Sequence, residues 1–332
     1  MRKYLLALFA MLILIFCSKT AIAGGQEGIE ICLRTVIPSL FPFILAAQYL
    51  CGNLSGQNIK ILRPLEKLCR IPEGSGGLLI SSFLGGYPVG ASSVYSAWKS
   101  GQLTRSQGRR MLGFLNNAGP AFIFGMGAAL FANPLIPWVV WVNHILCAVL
   151  TAMLMPGEKD TPQIENGTRE VTMVHCLKNT IQVLAQVCGW VILFRMILAF
   201  LFSILTGATP EIKAAVAGTL ELTNGCLLLQ TIPQEWVRYL LFTLFLNLGG
   251  LCVAMQTISV VGELGIGMYW RGKVMQSLLG SLVSILLLPL LFPHTQAFTH
   301  TTYVAVIAGF GLAGHLWKKY LKNSWHFAKI GV

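Results

Sequence analysis

Long apolar segments alternate with short polar segments along most of this chain. Segments of about 20 apolar residues are long enough to cross a bilayer as helices. The pattern therefore predicts an all-α polytopic membrane protein, organised as two halves of about five segments each. The predicted units are an N-terminal anchor or signal-like helix (1–23), a first repeat (31–155), a cytoplasmic linker (156–174), a second repeat (175–292), and a last helix with a basic tail (300–332).

The N-terminal apolar run leaves two interpretations open. Arg2 and Lys3, the apolar run 4–17 and the sequence Ala-Ile-Ala at 21–23 resemble a secretory signal with its cleavage site. An uncleaved first helix over residues 4–22 fits equally well. Both interpretations leave residues 24–30 outside the cytoplasm.

One apolar stretch, Gly76–Lys99, carries Gly85, Gly86, Tyr87 and Pro88 at its middle. A Gly-Gly pair suits the end of a helix, and proline suits the first turn of a new one. Each half would form about 15 Å of helix, half of a hydrocarbon core of about 30 Å. Basic segments on both sides are typical of cytoplasmic loops. The pattern predicts a re-entrant helical hairpin; the alternative is a kinked helix that spans the membrane.

The second half contains a comparable interrupted stretch at residues 211–230. If both stretches are re-entrant and the N-terminus is cytoplasmic, most Lys and Arg residues, Lys273 among them, fall on the cytoplasmic side. Corresponding segments of the two halves then run in opposite directions. The sequence therefore predicts an inverted repeat, as in many secondary transporters, in the cell (inner) membrane with both termini cytoplasmic.

Composition supports a membrane protein, because 55% of the residues are hydrophobic and only 11% are charged. The net charge of +12 would suggest nucleic acid in a soluble protein. Here the basic residues lie in short loops and tails, so the expected partner is the lipid bilayer rather than nucleic acid. The nine cysteines show no metal-ligand spacing, and no metal site or cofactor is predicted. The oligomeric state is left open.

The tip of the first hairpin is a candidate anion site. The free N–H groups of Val89, Gly90 and Ala91 would carry partial positive charge at the start of the second half-helix, with Ser92 one turn further on. The alternative is that these small residues allow tight helix packing.

Two charges, Arg195 and Glu221, are expected to lie deep in the bilayer. Such charges are costly and usually mark ion paths, substrate sites or paired structural locks. Glu221 could couple to an ion, H⁺ or Na⁺, while Arg195 attracts an anionic solute; alternatively the two pair with each other. Further polar groups could line the same cavity or join helices: Asn116, Asn117, Thr223, Asn224, Asn247 and Gln256.

Motifs of hydrolases, zinc proteases and nucleotide-binding loops are absent from the sequence, which argues against an enzyme and against ATP-driven transport. The favoured function is secondary transport of a small, anionic solute. A non-transporting membrane scaffold is the alternative from another class, and an intramembrane enzyme is a weaker third.

Two segments carry a family resemblance: FLGGYPVGASSVYSAWKSGQLT (83–104) and MLGFLNNAGPAFIFG (111–125). They resemble the nucleoside-recognition (gate) domain family, which includes sporulation membrane proteins and is similar to the core of concentrative nucleoside transporters. NLGGLCVAMQ (247–256) resembles the corresponding element of the second half. The resemblance implies paired hairpins, a role in endospore formation, in the cell or forespore membrane, and movement of dipicolinate or a similar anion.

The resemblance also implies a set of site residues. By position these are Gly85, Gly86, Tyr87, Pro88, Gly90, Asn116, Asn117, Gly119, Pro120, Asn247, Gly249, Gly250 and Gln256. The chain departs from the family in two places, because the second half lacks the Gly-Tyr-Pro pattern and the first hairpin lacks the acidic motif of nucleoside transporters. Both departures argue against nucleosides as substrates.

Overall fold

The computed structural model describes residues 2–54, 59–156 and 172–293. Within these ranges the regular structure is entirely helical. Five helical segments there are long and apolar enough to cross a membrane: Ser18–Leu54, Leu135–Leu154, Met173–Ile204, Glu235–Leu264 and Gly267–Leu291. The prediction of an α-helical polytopic membrane protein is thus confirmed. Most of the predicted linker, and the predicted last helix and tail, lie outside the described residues.

The described part of the first half contains nine α-helices. They are α1 (Arg2–Phe16), α2 (Ser18–Ile31), α3 (Ile37–Leu54), α4 (Arg63–Cys69), α5 (Gly76–Gly85), α6 (Val89–Lys99), α7 (Arg105–Met111), α8 (Pro120–Leu130) and α9 (Leu135–Leu154). The described part of the second half contains six, and these are α10 (Met173–Ile204), α11 (Pro210–Leu220), α12 (Leu222–Leu228), α13 (Glu235–Leu248), α14 (Gly250–Val261) and α15 (Gly267–Leu291).

Helices α2 and α3 form one continuous rod, because the π-helical turn Cys32–Val36 joins them. Residues 24–30 are therefore helical, and their position outside the cytoplasm stays a prediction. Gly24 and Gly28 face α10 so closely that an added Cβ would lie 2.9 Å from Ala199 Cβ and from Ile192 Cα, respectively. Glycines that suggest a loop by composition serve here to bring two membrane helices together.

The helix break predicted at Gly85–Pro88 is confirmed. Helix α5 ends at Gly85, Gly86 adopts a φ of 77°, and α6 begins at Val89. The two helices fold back on each other, with Ser81 Oγ 2.5 Å from Ser93 Oγ. We call α5 and α6 the first helix pair.

Helices α11 and α12 form a second helix pair. The extended backbone of Glu221 (φ −143°, ψ 116°) separates them. A Cβ added at Gly225 would collide with the Gly218 backbone, so the two helices pack at the closest distance that their backbones allow. Both helices are too short to cross a bilayer of about 30 Å.

Two further apolar segments, 111–131 and 236–261, are interrupted. Residues 112–119, between α7 and α8, are not helical. Helices α13 and α14 are separated by Gly249 and Gly250, whose φ values of 76° and 74° favour glycine. These interruptions place non-helical backbone and polar side chains beside the tips of the two helix pairs.

Candidate functional site

The tips of both helix pairs reach one cavity of about 40 Å³. Its polar lining comes from Tyr87 of the first pair, from Glu221 and Thr223 of the second, and from Gln256 of α14. Gly119 also lines it, while the remaining wall is apolar. A cavity of this size holds a few water molecules.

The break between α13 and α14 holds the two tips together. A Cβ added at Gly249 would lie 3.3 Å from Tyr87 Oη, and one at Gly250 would lie 3.0 Å from the carbonyl oxygen of Gly218. Gly86 and Gly119 make a comparable contact, since a Cβ at Gly86 would lie 3.0 Å from Gly119 N. Larger residues at these positions would force the tips apart.

Tyr87 is buried and connects the first tip to the second half of the chain. Its hydroxyl donates a hydrogen bond to the carbonyl oxygen of Leu246 (2.9 Å) and accepts one from Lys273 Nζ (3.2 Å). The Lys273 ammonium also lies 5.1 Å from the centre of the Tyr87 ring. Tyr87 lines the cavity, whereas Lys273 lies behind it, outside the lining.

Lys273 is fully buried, in the second turn of α15. Its Nζ donates to Gln276 Oε1 (2.9 Å) and, more weakly, to Asn117 Oδ1 (3.5 Å). Gln276 Nε2 donates to the same Asn117 oxygen at 2.9 Å. Asn117 Nδ2 in turn donates to Ser82 Oγ and to the carbonyl oxygen of Phe114. This network joins α15, the first helix pair and the interrupted segment 112–119.

His144 links the two interrupted segments. Its Nε2 accepts a hydrogen bond from the N–H of Ala118 (3.1 Å), so that nitrogen carries no proton. Its Nδ1 therefore donates to Asn247 Oδ1 (2.9 Å), and the ring is neutral in this arrangement. Asn247 Nδ2 donates to the carbonyl oxygen of Thr243, which fixes the orientation of the amide.

Glu221 is buried, with 2% of its surface exposed, and it caps α12. Its carboxylate accepts hydrogen bonds from Thr223 N (3.0 Å), Asn224 N (2.6 Å) and Asn224 Nδ2 (2.6 Å). A carboxylate at a helix N-terminus is stabilised by these N–H groups and by the helix dipole.

Arg195 lies in a different place from Glu221. It forms an ion pair with Glu27 of α2, so the alternative in which Arg195 pairs with Glu221 is wrong. Arg195, Glu27 and Asn224 line a second cavity of about 330 Å³, together with Glu30 and others. The structure does not bring Arg195 to the cavity between the tips.

Two of the three N–H groups predicted to form an anion site, those of Val89 and Gly90, are not free. Gly86 curls back so that its carbonyl oxygen accepts hydrogen bonds from the N–H groups of Val89 (2.9 Å) and Gly90 (3.4 Å). Gly90 itself allows close packing, because an added Cβ would overlap the carbonyl oxygen of Leu115. Ser92 is half-buried one turn further along α6.

The remaining predicted site residues have structural contacts. Asn116 Nδ2 donates to Thr257 Oγ1 at 2.8 Å, while its Oδ1 is buried without a partner. Gly85 packs against Ala47 and Val89, and Pro88 precedes the first residue of α6. Among the described residues, no group of three or more His, Cys, Asp and Glu side chains is arranged to hold a metal ion.

Sequence reasoning missed three members of the network: Lys273, Gln276 and His144. It assigned Lys273 to the cytoplasmic side, whereas the structure buries it completely in α15. The sequence does contain one indication of a shared site: Lys273 and Gln276 are three residues apart, so they lie on one face of the helix that starts at Gly267.

The helices and the buried polar network define a multi-pass α-helical membrane protein. A segment of 142 residues is 26% identical to the sporulation integral membrane protein YlbJ of Bacillus subtilis (strain 168). This segment covers 41% of the present chain and 35% of that protein, about a third of its length. No family model matches the chain, and no solved structure matches it. The nucleoside-recognition domain stays a prediction.

Proposed function

We propose that this protein is a secondary transporter of a small anionic solute, with dipicolinate as the candidate, and that it acts in endospore formation. The observation that carries the proposal is the meeting of both helix-pair tips at one cavity, with Tyr87 and Glu221 in its lining. Irregular backbone at membrane depth is tolerated where it is buried in protein or faces a water-filled cavity. The similarity to a sporulation membrane protein supports the biological setting.

The proposal includes an inverted repeat with two re-entrant hairpins, in the cell or forespore membrane with both termini cytoplasmic. Its support is the order of the elements, since a long helix, a pair of short helices, an interrupted segment and a long helix occur in each half. The short helices contain 10 and 11 residues in the first pair, about half of what a span requires.

Within this proposal Glu221 couples transport to H⁺ or Na⁺. It is a buried carboxylate that lines the cavity, and among the described residues it takes part in no ion pair. The amide groups of Asn117, Asn247 and Gln256 would bind the polar parts of the solute or hold the tips in register.

A membrane scaffold for spore-envelope assembly is a second candidate, and the cavity volume favours it. About 40 Å³ admits water but no aromatic dicarboxylate, so a transporter must open its tips to take up solute. A scaffold would keep them closed.

Flux of dipicolinate into proteoliposomes tests the proposal directly. We expect uptake by the wild type to rise with an imposed H⁺ or Na⁺ gradient. Uptake by the Glu221→Gln variant should not depend on the gradient. Empty liposomes and the Lys67→Met variant, which alters an exposed lysine of α4, serve as controls. The absence of uptake under every gradient would favour the scaffold.

Site-directed labelling tests the hairpin topology. Single cysteines at the exposed positions Lys67 and Ser100 flank the first helix pair. An impermeant maleimide, applied to intact cells and to inverted vesicles, should label both positions from the same side, with the unsubstituted protein as background. Labelling from opposite sides would mean that the first pair crosses the membrane.

A further inference from the structure

Lys273 carries a buried ammonium group whose hydrogen bonds are complete but whose charge has no partner. Its acceptors are the hydroxyl of Tyr87 and the amide oxygens of Asn117 and Gln276, all of them neutral. Among the described residues no carboxylate lies within 4.0 Å of it. A buried charge without a counter-charge is costly, and within a membrane it usually marks a functional site.

We infer that Lys273 supplies the positive charge that binds the solute's carboxylate, and that Tyr87 is the movable barrier between this charge and the cavity. This inference rests on the proposed transport function and names the charge-selecting residue of that site. It replaces two groups that sequence analysis suggested. Arg195 is already paired with Glu27, and the N–H groups of Val89 and Gly90 are bonded to Gly86.

The position of Tyr87 supports the role of a barrier. The residue lines the cavity, while its hydroxyl accepts the hydrogen bond of Lys273 Nζ, which lies 5.1 Å from the centre of its ring. Its hydroxyl is held by the carbonyl oxygen of Leu246, immediately before the break between α13 and α14. A movement of the first tip that releases this hydrogen bond would expose Lys273 to the cavity.

A carboxylate that replaces the Tyr87 hydroxyl would give the Lys273 ammonium an acceptor of opposite charge in place of a neutral oxygen. Hydrogen bonds in which both groups are ionised are short and strong. The surrounding amides of Asn117 and Gln276 would remain as acceptors for the other ammonium protons. The site therefore selects small carboxylates over uncharged compounds of the same shape.

A purely structural role for Lys273 is the competing explanation, because the side chain joins α15 to the first tip and to segment 112–119. The two roles differ in one measurable property. Loss of a structural lysine lowers the uptake of all solutes in proportion, whereas loss of the binding charge lowers the uptake of anions alone.

The test compares dipicolinate with its uncharged diamide, pyridine-2,6-dicarboxamide, in proteoliposomes. For Lys273→Met we expect kcat/KM for dipicolinate to fall about 10- to 100-fold, the worth of one charge-assisted hydrogen bond, and diamide uptake to stay within about 2-fold. Lys273→Arg should retain the preference for the anion, and Lys67→Met should behave as the wild type. If Lys273→Met does not yield monodisperse protein, Lys273→Gln replaces it.

Equilibrium binding of labelled dipicolinate to the purified full chain separates the two possible failures. One outcome is that the wild type binds dipicolinate but does not transport it, and that Lys273→Met no longer binds it. This outcome would overturn the transporter proposal and support the inference about Lys273. Transport by the wild type with a parallel loss of both solutes, or with no loss, in Lys273→Met would overturn the inference alone. A wild type that neither binds nor moves either solute would overturn both.

Discussion

The two helix pairs meet at the same cavity but are held in different ways. Side-chain hydrogen bonds of the first pair reach distant parts of the chain, from Tyr87 to Leu246 and from Lys99 to Glu263. In the second pair every described side-chain hydrogen bond closes within four residues. Contacts of the second pair with its surroundings are those of packing, such as Gly218 against the ring of Phe245.

This difference teaches which part of the site can move at least cost. Displacing the first pair breaks long-range polar bonds in a buried environment, and each unsatisfied group costs about 1–3 kcal/mol. The second pair carries its own cap at Glu221, so it can shift as a unit and keep its hydrogen bonds. If the tips separate during transport, movement of the second pair costs less. The first pair moves only after the hydrogen bond between Tyr87 and Leu246 has been released, and that step exposes Lys273.

The close backbone contact inside the first pair gives the largest expected effect. A Cβ at Gly90 would overlap the carbonyl oxygen of Leu115 and lie 3.1 Å from Ser82 Cα, and backbone atoms cannot move aside cheaply. We expect Gly90→Ala to lower the free energy of unfolding by about 3 kcal/mol, as overpacking does. Thermal unfolding in detergent measures it.

The matched control is Gly125→Ala in α8, where an added Cβ meets nothing within 4 Å. That variant should be neutral or slightly stabilising, because alanine favours a helix over glycine. Equal melting temperatures of the two variants would contradict the tight packing of the first pair.

The cap of the second pair gives the next largest effect. Glu221→Ala removes the acceptor of three hydrogen bonds and leaves the N–H groups of Thr223 and Asn224 buried without partners. We expect a loss of about 2 kcal/mol, confined to α12. Hydrogen exchange should accelerate at Thr223 and Asn224 and remain unchanged in α6.

Glu221→Gln is the matched control, because the amide keeps one oxygen acceptor in the same position. Glu221→Gln should lose less stability than Glu221→Ala. Faster exchange in both helix pairs would show that the second pair is not self-contained.

Local signals in the sequence predicted much of the fold. The Gly-Gly-Tyr-Pro sequence located the break between α5 and α6 to within a residue, because glycine and proline act through the backbone at their own positions. Glu221 was singled out because one acidic residue stands out in an apolar stretch; the protein buries it, and its depth in the bilayer stays a prediction.

Partners across the fold were not predictable from such signals. Lys273 lies close to a basic loop, so charge counting assigned it to the cytoplasm, and only the packing of α15 against the first tip buries it. The same applies to Arg195, whose partner Glu27 lies 168 positions away in the sequence. Which of two distant segments touch is decided by tertiary packing.

Removal of the Tyr87 hydroxyl tests the long-range hydrogen bonds of the first pair, and its expected effect is smaller than that of Glu221→Ala. Tyr87→Phe keeps the ring but removes the bonds to Leu246 and Lys273. We expect a loss of about 1 kcal/mol. In a double-mutant cycle with Lys273→Met the losses should not add, because both variants break the same contact. Strict additivity would mean that the two side chains are energetically independent.

The ion pair at the end of the first pair gives the smallest effect. Lys99 Nζ lies 3.0 Å from Glu263 Oε2, and both side chains are exposed, so solvent weakens the attraction. The hydrogen bond to Glu263 raises the pKa of Lys99 above its ordinary value of 10.5. The stabilisation by this pair is therefore fully present below pH 10.5 and is lost as the pH rises through the raised value.

We accordingly expect Glu263→Gln to lower the melting temperature least among these variants at neutral pH, and to match the wild type at about 1 M salt, where surface charges are screened. The backbone carbonyl of Glu263 still accepts the hydrogen bond of Arg105 in that variant, so the end of α14 stays in place. If the difference persisted at high salt, the connection would depend on packing rather than on charge. The polar connection of the first pair would then be concentrated at its tip, where Tyr87 stands between the cavity and Lys273.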